Sequence, residues 1–583
     1  MVRRLGDDEQ PLLSDIESSS TLNDADDAPL AVDGDGGDNN DDDVGVPMSR
    51  RRVLVIMLSM WALIFLQSSN MSGITMLQSR IAEDLDADEH VTWFAGVYLI
   101  ALSAVSPLFG RLATIFPPRN MILPVSLTVA LGSGLTATAP SLSVFLAGRV
   151  VTGLGGAGVM TLSMVFVLAL SSKKRRGLFL ALANVGFTIG LSFGAVVFGA
   201  VVGWAGWRTI FWAQVPVALG GGVVLFASVP PQTKNDKKAS AKGTWEKVKT
   251  IDYPGAALMC LTISLLLYAL AGTVRPLVLT AALVALAGFV AWEYRWATDP
   301  VIPLHVLSSR SVLFSCFAQL IFVSARWTLL YYGPIFMLAV KGLSPSSAGS
   351  ILIPTNFGYG GGGLLIGSLH IRRGGSFWLP SVAAYVLFCV TLVGVAAVAA
   401  GGGPQWVFVA AVFANGLATG GGMNYSFAHM LHVSAPSVHF ITTSLLGTFR
   451  GFGGSFGTAI GGGYFLRLLA DKMAREFARL DGGAELSPER RDLITRLAGR
   501  PGAVFAGDLT AAETEIARGA YADALARLWM MAAGLGVCAV LLQALCGWNE
   551  AGEGDGEQPA TVSESEEEEA AAGLLAAEGA RED

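Results

Sequence analysis

Long uncharged apolar stretches dominate the sequence, and each is close to the length at which a helix crosses a bilayer. A spanning helix takes about 20 mostly apolar residues, and about fourteen such stretches follow one another between residues 53 and 547. Charged residues make up only 15% of the chain, against about 25% in an average soluble domain. A soluble surface needs more charge than this. The sequence therefore predicts an all-α protein whose main solvent is lipid.

The charges are concentrated at the two ends of the chain. Residues 1–50 and 549–583 are acidic and polar, a composition that predicts disordered tails. The sequence between them shows no basic face suited to nucleic acid, and the five cysteines lack metal-binding spacing. It shows no phosphate-binding loop for an ATP-driven pump and no convergent set of His, Asp, Glu or Cys for an enzyme. We expect no metal, no cofactor and no nucleic-acid partner.

Basic residues between the spans predict the orientation. Arg50–Arg52 precede the first span, Lys173–Arg176 follow the fourth, and lysines between residues 234 and 249 follow the sixth. Lys and Arg near span ends favour the cytoplasm. Both termini are therefore predicted to be cytoplasmic, and the long loop 467–523 is predicted to lie on the other side. Within this loop, Leu466–Leu480 is amphipathic and is expected to lie on the membrane surface.

A weak internal repeat divides the chain. Gly110–Arg119 follows the second span and Gly367–Gly375 follows the tenth, and each combines a Gly, a Leu two residues later and a basic loop. The repeat predicts two six-helix halves at 51–230 and 301–548, with a cytoplasmic loop and two inserted spans at 231–300 between them. Two such halves around a cavity near the middle of the membrane form a transporter architecture.

Four motifs occur in an order that resembles one known family. They are Val91–Leu99 leading into Ser106–Gly110, Arg149 with Gly153 four residues later, the glycines spaced by four from Gly186 to Gly194, and Gly206–Phe211. Over roughly residues 50–548 the chain resembles the fourteen-span drug:proton antiporter branch of the major facilitator superfamily. The resemblance is to fungal vacuolar basic amino acid transporters and to their multidrug relatives. It implies the major facilitator fold and alternating access between the two halves.

The resemblance also implies which residues act in gating. In the family, the loop after the second span, here with Gly110 and Arg119, helps to lock one gate, although Thr114 replaces the family's Asp. A ridge of glycines on the fifth span permits close helix packing. Its members are Gly186, Gly190, Gly194 and Gly199. A bulky side chain on this ridge is expected to jam the two halves.

Polar residues inside the spans are the candidates for substrate binding or gating. An arginine at the bilayer centre costs about 2.5–3.5 kcal/mol, so it must be paired or face water. The candidates are Asn70, Arg149, Arg326, Asn415, Asn424 and Arg450. The alternatives are helix–helix hydrogen bonds for the asparagines and snorkelling or carbonyl bonding for the arginines. No Asp or Glu lies near the middle of a span, so no residue is assigned to proton coupling.

Three functions are compatible with these observations. The resemblance implies a secondary transporter of small solutes, coupled to protons, that moves basic amino acids or similar organic cations across the vacuolar membrane. The alternative is a plasma-membrane efflux carrier for drugs or secondary metabolites. A nutrient sensor that has a carrier fold but does not transport is the alternative of another class. The absence of buried carboxylates argues against a cationic substrate, because such a ligand needs an anionic partner.

A short linear signal bears on location. Asp8, Leu12 and Leu13 match an acidic dileucine sorting pattern in the N-terminal tail. Adaptor proteins read such signals on the cytoplasmic side and deliver their cargo to lysosome-like vacuoles. The pattern predicts a sorting adaptor as a partner and favours the vacuolar membrane over the plasma membrane.

Overall fold

The structure is a computed structural model that describes most of the chain between residues 50 and 547. The described ranges are 50–170, 176–230, 252–270, 275–297, 309–370, 377–434, 439–482 and 486–547. Within these ranges the chain forms helices and their connections, without a β-strand. The predicted sorting residues Asp8, Leu12 and Leu13 and the tail 549–583 lie outside the described residues.

The chain folds into α-helices joined by short connections. In chain order they are α1 (Arg50–Ser72), α2 (Ile74–Asp84), α3 (Val91–Ile115), α4 (Pro118–Ala137), α5 (Leu142–Leu170), α6 (Arg176–Ser228), α7 (Tyr253–Leu270), α8 (Pro276–Arg295), α9 (Arg310–Ala339), α10 (Pro345–Gly349), α11 (Leu352–Leu369), α12 (Trp378–Ala400), α13 (Gln405–Val433), α14 (His439–Leu480), α15 (Pro488–Gly499) and α16 (Ala511–Leu545). Two short 3-10 helices, Asp88–His90 and Pro501–Phe505, precede α3 and follow α15.

Eleven of the described helices are long and apolar enough to cross a membrane. One of them, α6, consists of two helices, because Gly206 has φ 75° and ψ 169°, a conformation that only glycine adopts readily. Counting both parts of α6, and adding α11 and α14, gives fourteen helices at the positions of the predicted spans. The predicted all-α membrane fold is confirmed.

The helices pack as two groups along a seam. Helices α1 to α6 form the first half, and α9 to α16 form the second. Across the seam, α3 packs against α14, and α6 packs against α10 and α11. Helices α7 and α8 form a hairpin, and α7 contacts both α3 and α14. The hairpin therefore lies over one side of the seam.

A buried carboxylate holds this hairpin together. Asp252 Oδ1 accepts hydrogen bonds from the Gly255 backbone N–H at 2.9 Å and from Trp292 Nε1 at 2.8 Å. The first bond satisfies a free N–H at the start of α7, as an N-cap does. The second joins α7 to the end of α8. Asp252 therefore has a structural role at a helix end.

The segment 467–523, which we call the insert, is a folded unit rather than an irregular loop. Helix α14 continues without a break to Leu480, and at about 1.5 Å per residue it is roughly twice as long as a bilayer core is thick. The expectation that Leu466–Leu480 lies on the membrane surface is wrong. Its apolar side chains Leu469, Met473 and Phe477 are fully buried in a core that includes Leu497 of α15 and Tyr521 of α16.

Polar contacts fasten the insert to itself. Arg490 donates to both carboxylate oxygens of Asp481 at 3.0 Å and also pairs with Glu513. Thr510 and Glu513 form a capping box at the start of α16. The Arg490 guanidinium and the Thr510 N–H and hydroxyl lower the pKa of Glu513 to about 2. The contribution of this carboxylate to stability is therefore lost only as the pH falls from about 4.5 toward 2.

Candidate functional site

A fully buried arginine joins three helices of the first half. Arg149 Nη1 donates to Asn70 Oδ1 at 2.7 Å, and Nη2 donates to the Asn70 carbonyl at 3.1 Å. Arg149 Nε donates to the Phe94 carbonyl at 3.1 Å. The guanidinium lies 4.5 Å from the centre of the Tyr98 ring. The structure thus brings together two predicted site residues, Asn70 and Arg149, and the described partners of the arginine are amide and carbonyl groups.

The same cluster extends to two more helices. Asn70 Nδ2 donates to Gln214 Oε1 at 2.7 Å, and Ser133 Oγ donates to the same oxygen at 3.2 Å. Tyr98 donates its hydroxyl proton to the Gln67 carbonyl at 2.9 Å. Sequence reasoning missed Gln214 and Tyr98. A glutamine inside an otherwise apolar span was the available signal, since a buried amide needs a partner. The cluster acts as a clamp that holds the first half together.

The second half has its own buried arginine, with fewer partners. Arg326 Nη2 donates to Asn356 Oδ1 of α11 at 3.0 Å, and its guanidinium lies 4.7 Å from the centre of the Tyr359 ring. Arg326 Nη1 and Asn356 Nδ2 make no hydrogen bond in the described structure. The sequence identified Arg326 but not Asn356 or Tyr359, because the pair is formed between two helices about 30 residues apart.

The other three predicted polar residues lie apart from this pair. Asn415 Nδ2 donates to the Phe388 carbonyl at 3.3 Å and to Thr391 Oγ1 at 3.1 Å, which is the helix–helix alternative. Asn424 Nδ2 donates within its own helix, to the Gly420 carbonyl at 2.9 Å. Arg450 on α14 is half-buried, and its Nε has no partner among the described residues.

The glycine ridge on α6 faces α1 along most of its length. A Cβ atom on Gly190 would lie 1.9 Å from Ser68 Oγ, and one on Gly194 would lie 2.5 Å from Ser69 Cα. A Cβ atom on Gly186 would lie 3.1 Å from the Trp61 ring. These three glycines therefore permit packing inside the first half, so a bulky side chain on them would press on α1 and not on the second half, as had been expected.

Gly199 has a different neighbour from the rest of the ridge. A Cβ atom there would lie 2.5 Å from the carbonyl carbon of Pro345, at the start of α10 in the second half. Among the four ridge glycines, the one nearest the end of the helix is thus the one that permits contact between halves.

The two predicted gate residues, Gly110 and Arg119, show no contact across the seam among the described residues. A Cβ atom on Gly110 would meet open space, and the Arg119 guanidinium lies 4.4 Å from the centre of the Phe226 ring in the same half. The role of these two residues in a lock stays a prediction.

The two halves meet at one end of the bundle. We call the end that carries residues 73–90, 340–351 and the insert the insert end, and the opposite one the basic end, after the Lys and Arg residues in its loops. Between α3 and α14, Ser103 Oγ and Ser455 Oγ lie 2.7 Å apart, and Ser455 Oγ donates to the Leu99 carbonyl at 2.8 Å.

The second side of the seam closes at the same depth. Between α6 and α11, Ser192 Oγ donates to the Leu352 carbonyl at 3.5 Å. A Cβ atom on Gly349 would lie 2.8 Å from the carbonyl carbon of Ala195. The described contacts on both sides thus run from the insert end to about the middle of the spans, so the structure is closed at the insert end.

Comparison with known proteins agrees with this architecture. The profile of the Major Facilitator Superfamily matches residues 60–458, and the chain belongs to this superfamily. It is a secondary transporter of the major facilitator type. It is 26% identical over 524 residues to the MFS-type transporter ppz2 of Metarhizium majus (strain ARSEF 297), covering 84% of this chain and 85% of that protein.

Two further relatives extend the comparison. The chain is 26% identical to the efflux pump apf11 of Gibberella fujikuroi (strain CBS 195.34 / IMI 58289 / NRRL A-6831), covering 71% of this chain and 69% of that protein. It is 27% identical to the MFS-type transporter TwmF of Talaromyces wortmannii, where the match spans 54% of this chain and only 58% of the relative's length.

A solved structure shares the fold. It is a bacterial homologue of the human lysosomal transporter Spinster, in an inward-facing and unoccupied conformation. The superposition has a TM-score of 0.55 at 14% sequence identity and covers 86% of this chain and 98% of that chain.

Proposed function

We propose that this transporter exports neutral or anionic organic metabolites from the cytoplasm. Relatives named as efflux pumps support this proposal over the basic amino acid carrier that the sequence favoured. The predicted orientation supports it as well. With the basic end in the cytoplasm, the end at which the described contacts join the two halves is the non-cytoplasmic one.

The distribution of charge inside the bundle carries the proposal. Outside the insert, Arg149, Arg326 and Arg450 lie far from the ends of their helices in the described spans. The Arg527–Asp523 ion pair of α16 lies at the edge of the insert, and Asp252 and Glu293 lie at the ends of the hairpin helices. Two like charges about 6 Å apart repel by about 3 kcal/mol at an effective dielectric constant of about 20. A lysine or arginine substrate would enter such an interior at this cost, whereas an anion would be attracted.

Coupling and location belong to the same proposal. The proton coupling implied by the family resemblance has no assigned carboxylate in the described spans, so we place no residue on a proton path. Export from the cell requires the plasma membrane, whereas the Asp8, Leu12 and Leu13 pattern favours the vacuolar membrane. At either membrane the direction is the same, out of the cytoplasm.

Transport by the purified protein in liposomes tests the proposal. We expect saturable uptake of fluorescein, an organic anion, and no saturable uptake of radiolabelled arginine or lysine, each measured with and without a pH gradient. Protein-free liposomes are the control for passive leak of the dye. Saturable arginine uptake without dye uptake would instead support the function of a vacuolar basic amino acid carrier. Binding of a solute without its movement into the liposomes would support the function of a nutrient sensor.

A further inference from the structure

One polar pair in the second half has hydrogen-bond donors that the protein itself does not use. Arg326 and Asn356 are 6% and 2% exposed, and they are joined by a single hydrogen bond. Arg326 Nη1 and Asn356 Nδ2 have no partner within the described structure. A buried donor without an acceptor is costly, and most of all on a charged group. The pair thus has two buried donors that lack an acceptor within the described structure.

The position of the pair suits a solute that enters from the basic end. Asn356 lies one helical turn beyond Leu352, where α11 makes its hydrogen bond with Ser192 across the seam. At the other contact between the halves, that of α3 with α14, Arg450 of α14 directly precedes Gly451. The Gly451 carbonyl accepts a hydrogen bond from Ser103 of α3 at 3.2 Å. The free donors therefore lie just below the closed part of the seam, near the middle of the spans.

We propose that Arg326 and Asn356 bind a carboxylate or a similar anionic group of the transported solute. The proposal rests on the proposed export function and names its substrate class. A guanidinium offers parallel N–H donors that match the two oxygens of a carboxylate. The Tyr359 ring, 4.7 Å from the guanidinium carbon, supports the flat face of the cation and fixes the direction of its donors.

Binding of two dyes to the purified protein in detergent tests this site. Fluorescein is an anion and rhodamine 6G is a cation, and both have the same xanthene ring, so they separate charge from shape. We expect Arg326→Gln and Asn356→Leu to raise the Kd for fluorescein by about tenfold or more, as expected for loss of a charged hydrogen bond. Rhodamine 6G binding should change little, and Arg326→Lys should keep part of the fluorescein affinity.

The control is Arg491→Gln, at an exposed arginine of α15 far from the pair in sequence, which should bind both dyes like the parent. A parent protein that binds no fluorescein, or an unchanged Kd in Arg326→Gln, would overturn the site. Fluorescein that binds but is not carried into liposomes would overturn the export function and leave the site intact.

A second and independent feature joins the insert to the first half. Arg500 Nε and Nη2 donate to the two carboxylate oxygens of Asp88 at 2.7 and 2.9 Å. Gln78 Nε2 donates to the Gly499 carbonyl at 3.3 Å. The side chains of Arg500 and Asp88 are 18% and 15% exposed. We call this contact the clasp.

The clasp joins the two halves, which move relative to each other in alternating access. Asp88 is part of the connection between α2 and α3 in the first half, and Arg500 directly follows α15 of the insert. The insert is fixed to the second half, because α14 and α16 of that half run into it without a break from its two ends. Opening the insert end must therefore break the Arg500–Asp88 pair. Its two parallel hydrogen bonds and partial burial make it stronger than an exposed ion pair.

We infer that the clasp stabilises the conformation that is closed at the insert end. Replacing Arg500 with glutamine should then shift the protein toward the open conformation. A cysteine at Ser455, which is fully buried in the seam, reports this shift through its rate of reaction with a maleimide. In a Cys538→Ser background we expect about tenfold faster labelling in Arg500→Gln, as for the loss of one charged pair, and no change in the matched Arg491→Gln.

A cross-link supplies the opposite test. A Cβ atom on Gly499 would lie 2.7 Å from the Asp88 carbonyl oxygen and 2.9 Å from Asp88 Cβ, so the two backbones must separate by about 1 Å before a disulfide fits. Once oxidised, Asp88→Cys with Gly499→Cys should slow the labelling of Ser455→Cys, and dithiothreitol should reverse this. Unchanged labelling in folded Arg500→Gln protein, or in the oxidised pair, would show that the contact is merely structural.

Discussion

Gly199→Leu is expected to abolish transport while the protein still folds. A Cβ atom at this position would lie 2.5 Å from the Pro345 carbonyl carbon and 2.6 Å from the Ser346 nitrogen. Backbone atoms cannot move aside as a flexible side chain can, so α6 and α10 must separate. The insert end would then fail to close, and the solute could no longer be received at the basic end. We expect at least a tenfold fall in the rate of dye uptake into liposomes, a change of about 1.4 kcal/mol or more.

Two glycines of the same helix supply the comparisons. A Cβ atom on Gly203 meets nothing within 4 Å, so Gly203→Leu should transport like the parent. Gly190→Leu should instead lower the yield of folded protein, because it pushes α1 and α6 of one half apart, and overpacking commonly costs about 1–3 kcal/mol. Size-exclusion chromatography separates the two effects. Normal transport in folded Gly199→Leu protein would contradict closure at this contact.

Arg149→Met is expected to cause the largest loss of stability of any single change in the spans. It leaves the buried Asn70 Oδ1 without the arginine as donor and removes two further hydrogen bonds, to the carbonyls of Asn70 and Phe94. At about 1–3 kcal/mol for the unsatisfied oxygen and about 0.5–1.5 kcal/mol for each further bond, the cost is roughly 2–6 kcal/mol, which is much of the usual stability of a protein. Thermal unfolding of the detergent-solubilised protein measures the loss.

The matched comparison is Arg326→Met in the second half. It removes one hydrogen bond and one ring contact, so the loss of stability should be smaller, while fluorescein binding should fall. Arg149→Met combined with Asn70→Leu should recover part of the stability, because removing both partners leaves fewer unsatisfied groups. If Arg149→Met unfolds at the temperature of the parent, the arginine does not hold the first half together.

The fold was readable from the sequence because lipid imposes one simple requirement on a spanning helix. An uninterrupted apolar stretch of the right length has few other structures available, so the positions of the spans agree with the helices. The break at Gly206 lies at the start of the Gly206–Phe211 motif, which stood out in the sequence. The insert was not foreseen as a folded unit. Its amphipathic pattern shows that one face of Leu466–Leu480 is covered, but not that α15 and α16 cover it.

Only part of the candidate site could be predicted from the sequence, because a sequence shows single residues and not which helices lie side by side. A polar or charged side chain inside an apolar span is visible in the sequence alone, and Asn70, Arg149 and Arg326 stood out on that ground. Their partners Gln214, Asn356 and Tyr359 are ordinary residues that become informative only when two helices are placed side by side. The glycine ridge has the same limit. Its spacing indicates that another helix comes close, yet Gly190 and Gly199, nine residues apart on one helix, face different halves.

The hairpin of α7 and α8 has a consequence for how oily solutes reach the bundle. Cys260 of α7 donates to the Ala104 carbonyl of α3 at 3.2 Å, and the rings of Trp93 and Tyr268 lie 5.5 Å apart. One of the two sideways entrances between the halves is thus shielded from the surrounding lipid, whereas the described helices place no such cover over the entrance beside α6 and α11. A hydrophobic molecule dissolved in the bilayer therefore meets the hairpin first on the shielded side of the protein, and not the contact between α3 and α14.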